Sequence, residues 1–240
     1  MPAKRNWPYM VDRYYPQIKI CGLTLPDQAR ACADLGADAI GLVFFEKSPR
    51  NVTPEQAAGI KAGLPDRVAA VGVFVDPDRE FLTRVVHRCG LDIVQLHGSE
   101  PPEFVAGMQA VLKVPVIKVL FATRAPGFGD AEGYCTAGFL VECGRGPLPG
   151  GNAMAWDWTA AQTVGRNFPL ILAGGLAPDN VAEAIGACLP DAVDASSSLE
   201  VGPGVKDLEK VARFIHGVKQ TEPLYRSVNK RIRTVFGAKM

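Results

Sequence analysis

Residues 17–22 read Gln-Ile-Lys-Ile-Cys-Gly and alternate polar and apolar side chains at the two-residue period of a β-strand, before a glycine turn. In an extended chain Lys19 and Cys21 share one face, while the two isoleucines point to the other. The stretch therefore predicts a thiol at the end of a strand, with an ammonium group beside it.

The same sequence of features, a short apolar run followed by a turn and a helix-like stretch, repeats along the chain. The apolar runs lie near residues 17–21, 39–44, 69–75, 92–96, 115–120, 138–142, 169–173 and 191–195. Helices are predicted at 26–35, 54–64, 77–89, 101–112, 158–166, 178–188 and 207–218, with a weaker, glycine-rich helical segment at 122–135. Eight units with buried strands predict an α/β fold, a single (β/α)8 TIM barrel. An open doubly wound sheet is the alternative, weakened because no G-x-G-x-x-G follows the first strand.

The barrel divides the chain into three parts. Residues 1–16 form an N-terminal extension, interpreted as packing loosely or, alternatively, as binding a partner. Residues 17–218 form the barrel, although the length of 240 residues also suits two small domains. Residues 219–240 form a basic C-terminal tail, interpreted as a solvated helix or a disordered end, with binding to RNA or an acidic partner as the alternative.

Composition excludes several classes of protein. A net charge of +1 gives no general argument for nucleic-acid binding, and no apolar run is long enough to span a membrane. The six cysteines form no C-x-x-C pair and the three histidines are dispersed, so neither a metal site nor a disulfide framework is indicated. The N-terminus lacks a secretory signal, and we expect a protein of the reducing cytoplasm.

Polar and small residues stand where the apolar runs end, the edge at which barrels of this kind carry their active sites. A buried cysteine is usually inert, but its position at a strand end makes Cys21 a candidate for chemistry. Gly174 and Gly175, with a helix N-terminus after the eighth run, predict a phosphate site rather than only a tight turn. The other candidates are Arg50, Asp76, Gln95, His97, Glu142, Asp194 and the serines at 196–198.

Several of these motifs together resemble the phosphoribosylanthranilate isomerase family, over roughly residues 17–217. The resemblance is carried by Lys-Ile-Cys-Gly (19–22), Gly-Ala-Asp-Ala-Ile-Gly (36–41), Ser-Pro-Arg (48–50), Val-Gly-Val-Phe (71–74), Val-Gln-Leu-His-Gly (94–98), Leu-Ala-Gly-Gly-Leu (172–176) and Gly-Val-Lys-Asp (204–207). The motifs occur in the family's order, and their combination is more specific than any one of them.

The resemblance implies an Amadori rearrangement of a phosphoribosyl anthranilate in tryptophan biosynthesis, with no metal and no cofactor. This reaction needs an acid for the furanose ring oxygen and a base for the proton on C2′. By the match, Cys21 is the base, helped by Lys19, and Glu142 stands where the family usually has an aspartate acid. Glutamate carries its carboxyl group about 1.5 Å further out.

The resemblance also implies the substrate-binding residues. Arg50 matches the arginine that holds the anthranilate carboxylate, with a surface salt bridge as the alternative, and Asp194 matches an aspartate near the amine and ribose. Gln95 and His97 are expected to contact the substrate, or His97 to be only a satisfied polar residue at the barrel mouth. Phosphate binding is expected at Gly174, Gly175, Ser197 and Ser198.

Two departures from the family pattern bear on the loops. Ser198 and Ala153 stand where the family commonly has glycine. A serine at positive φ would cost about 1 kcal/mol or more, whereas in a helical first turn it would be harmless.

Two other functions stay open beside the isomerase. A related phosphosugar isomerase or epimerase would keep the barrel and the phosphate site but change the substrate. A non-catalytic relative that binds a phosphosugar is the third possibility, although it would need neither Cys21 nor Glu142.

Overall fold

The computed structural model describes residues 10–146 and 156–237. Eight parallel strands form a closed barrel in which each strand pairs with the next along the chain and the last pairs with the first. The predicted (β/α)8 fold is confirmed. The barrel strands are β1 Gln17–Cys21, β2 Ala39–Phe44, β3 Ala69–Phe74, β4 Ile93–Leu96, β5 Val116–Phe121, β6 Gly138–Glu142, β7 Leu170–Leu172 and β8 Ala192–Ala195.

The described helices cover the outside of the barrel, six of them between strands and two after the last strand. They are α1 Pro26–Leu35, α2 Pro54–Ala62, α3 Arg79–Cys89, α4 Pro102–Leu112, α5 Gln162–Gly165, α6 Val181–Cys188, α7 Leu208–Lys219 and α8 Glu222–Ser227. The glycine-rich segment predicted at 122–135 forms only a 3-10 helix, Phe128–Gly133, because its glycines disfavour a longer helix. None of the described helices is long and apolar enough to cross a lipid bilayer.

Local sequence signals set the helix ends. Thr53 caps α2 by accepting a hydrogen bond from the Gln56 N–H, and the Gln56 side chain accepts one from the Thr53 N–H, which completes a capping box. Asp78 caps α3 in the same way by accepting from Phe81 N–H, so that helix begins two residues later than predicted. Gly36 ends α1 at a φ of 115°, a conformation that favours glycine.

The barrel interior is apolar at one end and polar at the other. In β4, Ile93 lies in an apolar interior cluster with Ile117 and Leu140, whereas Gln95, two residues further on, begins a group of buried polar side chains. Because alternate residues of each strand face inward, the polar end is the C-terminal end of the strands. The apolar end of the barrel interior thus stabilises the fold, and the polar end, at the C-terminal ends of the strands, is available for chemistry.

The C-terminal tail closes the apolar end of the barrel. Val235 and Phe236 are buried in the interior cluster. Their N–H groups donate to Gln17 Oε1 at 2.7 and 3.0 Å, and Gln17 Nε2 donates to the Phe236 carbonyl at 2.9 Å. The tail therefore satisfies the side chain of a buried glutamine at the start of β1.

Charge and backbone pairing hold the tail to the barrel. Arg233 donates from Nε and Nη2 to the buried Asp191 carboxylate at 3.0 and 2.6 Å. Residues Met10–Val11 pair antiparallel with Ile232–Arg233, and the buried Tyr225 hydroxyl donates to the Pro190 carbonyl at 2.6 Å. The interpretation of a solvated or disordered tail is wrong for residues 230–236, because Lys230 and Arg233 find a buried partner, Asp191, that a charge count does not reveal. The N-terminal extension is held through Arg13, which donates to Asp38 at 2.7 Å.

Truncating the tail's buried ring is expected to destabilise the whole barrel. Phe236→Ala should lower the free energy of unfolding by about 3 kcal/mol, since a buried phenylalanine leaves a cavity when it is removed. Urea unfolding measures this loss, with the partly exposed Leu224→Ala as the matched control. An effect no larger than that of the control would show that the tail only rests on the barrel.

Candidate active site

Cys21 and Lys19 lie on the inner face of β1 at the C-terminal mouth of the barrel, as the alternation of β1 predicts. Lys19 is fully buried, and its Nζ lies 2.9 Å from Oδ1 of Asp194, its register partner on β8. A Cβ atom at Gly41 of β2 would lie only 2.6 Å from the Cys21 sulfur. The glycine of the neighbouring strand therefore leaves the space that the thiol occupies.

Burial and neighbouring charges shift the pKa values of Cys21 and Lys19 in opposite directions. Burial raises the pKa of the Cys21 thiol above its ordinary value, and the charge of Lys19 lowers it by less. Burial lowers the pKa of Lys19, but Asp194 and Cys21 raise it by more, so the ammonium group stays charged. Lys19 therefore lowers the pKa of Cys21 in the expected direction, but by less than burial raises it.

The pH dependence of thiol alkylation tests this balance. In a Cys135→Ser background, which removes an exposed thiol, Cys21 should be alkylated with a midpoint above the roughly 8.5 of a free cysteine. Lys19→Met should move that midpoint still higher, because the thiolate loses its nearest positive charge. Mass spectrometry locates the label, and Lys47→Met on the surface is the control. An unchanged midpoint in Lys19→Met would remove Lys19 from this role.

Glu142 ends β6 and lies opposite His97, the residue that follows β4. His97 Nε2 is 3.2 Å from Glu142 Oε1, and His97 Nδ1 is 2.9 Å from Gln95 Nε2. All three side chains are buried. The structure thus brings together three residues that the sequence predicted separately.

Arg50 is fixed by a carboxylate rather than lying free at the surface. Its Nε and Nη2 donate to the two oxygens of Glu200 at 2.9 and 2.6 Å, and Lys206 Nζ donates to the same carboxylate at 2.6 Å. The salt bridge weighed as the alternative for Arg50 therefore exists, but it is buried and does not lie at the surface. Sequence reasoning gave Glu200 and Lys206 no role, although Lys206 lies in the family motif at 204–207. The two residues lie on the antiparallel strands Glu200–Gly202 and Val205–Lys206.

The loops after β7 and β8 meet at the same mouth. Gly174 and Gly175 have φ values of 85° and 71°, and a Cβ on Gly174 would lie 2.9 Å from Trp156 Nε1. Ser198 lies in the 3-10 helix Ser197–Leu199 outside the left-handed region, and its hydroxyl donates to the Leu176 carbonyl. The serine that departs from the family pattern is therefore unstrained. The other departure, Ala153, lies outside the described residues.

A buried ion pair at the turns after β3 and β4 also escaped sequence reasoning. Lys118 Nζ donates to Glu100 Oε2 and to the Gly98 carbonyl, both at 2.7 Å, and Glu100 also accepts from the N–H of Asp76. This pair holds the turns after β3 and β4. Within the described residues, no three His, Cys, Asp or Glu side chains are grouped so as to hold a metal ion.

The fold and the site together define a class of protein. A closed (β/α)8 barrel with a thiol, a carboxyl group and fixed charged side chains at its C-terminal mouth is a barrel enzyme that acts on a small ligand at its strand ends. Residues 18–217 match the family model for N-(5′-phosphoribosyl)anthranilate (PRA) isomerase. The chain belongs to that family.

Individual relatives agree with the family match. An N-(5′-phosphoribosyl)anthranilate isomerase of Desulfatibacillum aliphaticivorans is 48% identical over 205 residues, which cover 85% of this chain and 94% of the relative. That of Paramagnetospirillum magneticum is 43% identical and covers 86% and 99%. The crystal structure of the Thermotoga maritima enzyme superposes with a TM-score of 0.77 at 34% identity, covering 85% and 99%.

Proposed function

We propose that this chain is an isomerase of tryptophan biosynthesis that converts N-(5′-phosphoribosyl)anthranilate to 1-(o-carboxyphenylamino)-1-deoxyribulose 5-phosphate. The observation that carries the proposal is one thiol and one carboxyl group at the same barrel mouth, on β1 and β6, in a chain whose residues 18–217 match the family. A related structure, 34% identical with a TM-score of 0.73, is described as a complex with the reduced form of that product.

The first chemical step opens the sugar ring. Glu142, as a carboxylic acid, gives its proton to the furanose ring oxygen while the bond from that oxygen to C1′ breaks. The lone pair of the anthranilate nitrogen forms the C1′=N double bond, which leaves a protonated Schiff base. The ring oxygen departs as a hydroxyl group, so no unstable alkoxide forms.

The second step moves a proton from carbon. Cys21, as a thiolate, removes the proton on C2′, and the electron pair of that C–H bond flows through C1′ to the nitrogen cation. The resulting enol-amine becomes the ketone when C1′ takes a proton and the 2′-hydroxyl loses one. Burial raises the pKa of Cys21, which leaves less thiolate but makes it a stronger base for carbon.

Fixed charges orient the substrate in this account. Glu200, which also accepts from Lys206, fixes the orientation of the Arg50 guanidinium through two hydrogen bonds, and this planar group suits recognition of the anthranilate carboxylate. The backbone after β7 and the serines after β8 are proposed to bind the phosphate, and Asp194 the amine and ribose. Six unpaired cysteines favour a reducing compartment, and we place the enzyme in the cytoplasm.

The test is turnover of the proposed substrate. Freshly prepared N-(5′-phosphoribosyl)anthranilate should lose its anthranilate fluorescence when the purified chain is added, and the ketone product should accumulate. A phosphosugar without the anthranilate ring, tried in parallel, addresses the related isomerase. Binding of the anthranilate substrate without turnover would instead support a phosphosugar-binding protein.

A further inference from the structure

We propose that His97 is a positioning residue for Glu142, set in its tautomer by Gln95, and not a direct ligand of the substrate. The inference rests on the proposed function, because it assigns how the general acid is held. It revises the substrate contact that the family resemblance implies for these two residues.

The hydrogen bond between Gln95 and His97 indicates which imidazole nitrogen carries the proton. Gln95 Nε2, 2.9 Å from His97 Nδ1, is an amide nitrogen that can only donate, so Nδ1 accepts and carries no proton. In the neutral ring the proton then lies on Nε2, the atom that faces Glu142 Oε1 at 3.2 Å. A donor thereby lies 3.2 Å from the carboxylate that Glu142 becomes after it has given up its proton, although the N–H is not aligned for a hydrogen bond to it in this structure.

The surroundings of the ring leave the substrate little access to it. Both ring nitrogens face protein groups, and the Phe121 ring lies beside the imidazole with its centroid 5.9 Å away. His97 is 7% exposed and Gln95 1%. Within the described residues Nε2 has no hydrogen-bond partner, and Glu142 Oε1 lies 3.2 Å from it.

The length of the glutamate explains why a positioning residue is needed. Phe121 on β5 is the register partner of Glu142, so the Glu142 side chain reaches past its neighbouring strand to meet β4. A glutamate has one more rotatable bond than the aspartate usual in the family, and fixing it costs side-chain entropy. Since a misplacement of about 1 Å can cost on the order of 100-fold in rate, a fixed donor at this distance has a large effect.

The test compares His97 variants by steady-state kinetics with N-(5′-phosphoribosyl)anthranilate. His97→Leu should lower kcat by about 100-fold while KM changes by less than about 3-fold, because the acid is displaced and the substrate contacts remain. His97→Gln, whose amide still offers a donor at similar reach, should recover at least about 10-fold of that loss. Gln95→Leu leaves the imidazole in place but removes the hydrogen bond that selects its tautomer. This variant should have a kcat between those of the parent and His97→Leu.

A second background separates positioning from a general structural role. In Glu142→Asp the carboxyl group is withdrawn by about 1.5 Å, so adding His97→Leu should cost less than about 5-fold there. An equal loss in both backgrounds would overturn the proposal, as would a rise in KM with kcat unchanged.

Melting temperatures of all variants identify any loss that comes from unfolding. If the parent turns over and His97→Leu has no effect, this inference alone is wrong. If the parent does not turn over, the proposed function is wrong, and the inference is wrong with it.

Discussion

Glu142→Gln is expected to lower kcat by about 10³-fold or more, because an amide cannot give a proton to the departing ring oxygen. The amide keeps the size of the carboxyl group and can still face His97, 3.2 Å away in the parent. Substrate binding should therefore change little. Stopped-flow and steady-state loss of anthranilate fluorescence measure kcat and KM separately.

The matched control for this substitution is Glu132→Gln, which removes an exposed carboxylate from the 3-10 helix Phe128–Gly133. It should leave kcat within about 2-fold of the parent, as surface substitutions usually do. If Glu142→Gln turns over at a near-normal rate, Glu142 is not the general acid.

Cys21→Ser is expected to lower kcat by a similar factor, about 10³-fold, because a serine hydroxyl is not ionised at neutral pH and cannot take the C2′ proton. The oxygen is smaller than sulfur and fits the space beside Gly41, so the barrel should keep its stability. Ligand binding should also persist. kcat at saturating substrate is the quantity to compare.

Cys89→Ser is the control for the loss of a buried thiol. Cys89 lies in α3, where its sulfur donates to the Pro54 carbonyl at 3.3 Å, and a serine can keep that hydrogen bond. Its kcat should stay near that of the parent. Undiminished turnover by Cys21→Ser would mean that another group removes the carbon-bound proton.

The barrel was predictable from sequence because its signal is local and repeated. The strand at Gln17–Cys21 and the helix at Pro26–Leu35 have the predicted bounds, since apolar runs and first-turn prolines define them. The Trp158–Ala161 segment instead forms a 3-10 helix before the short α5, where one longer helix was predicted. Helix type in a single turn depends on packing that the local sequence does not specify.

The pairings within the site were beyond sequence reasoning. Arg50 and Glu200 are separated by 150 residues, and Lys19 and Asp194 by 175, so only the closed barrel brings each pair together. Position at a strand end identified Cys21 and His97, and alternation placed Lys19 beside Cys21, but neither signal showed that His97 faces Glu142. The C-terminal tail shows the same limit, since Gln17 meets Phe236 only because both lie at the closed end of the barrel.

The central claim is that Glu142 opens the ring and Cys21 then removes the C2′ proton. The most direct measurement is the kinetic isotope effect with substrate deuterated at C2′, in single turnovers with excess Cys21→Ser or Glu142→Gln. The account predicts a full primary isotope effect in Cys21→Ser, where proton removal limits the rate, and an effect close to one in Glu142→Gln, where ring opening does. The same isotope effect in both variants, or the reverse order, would contradict it.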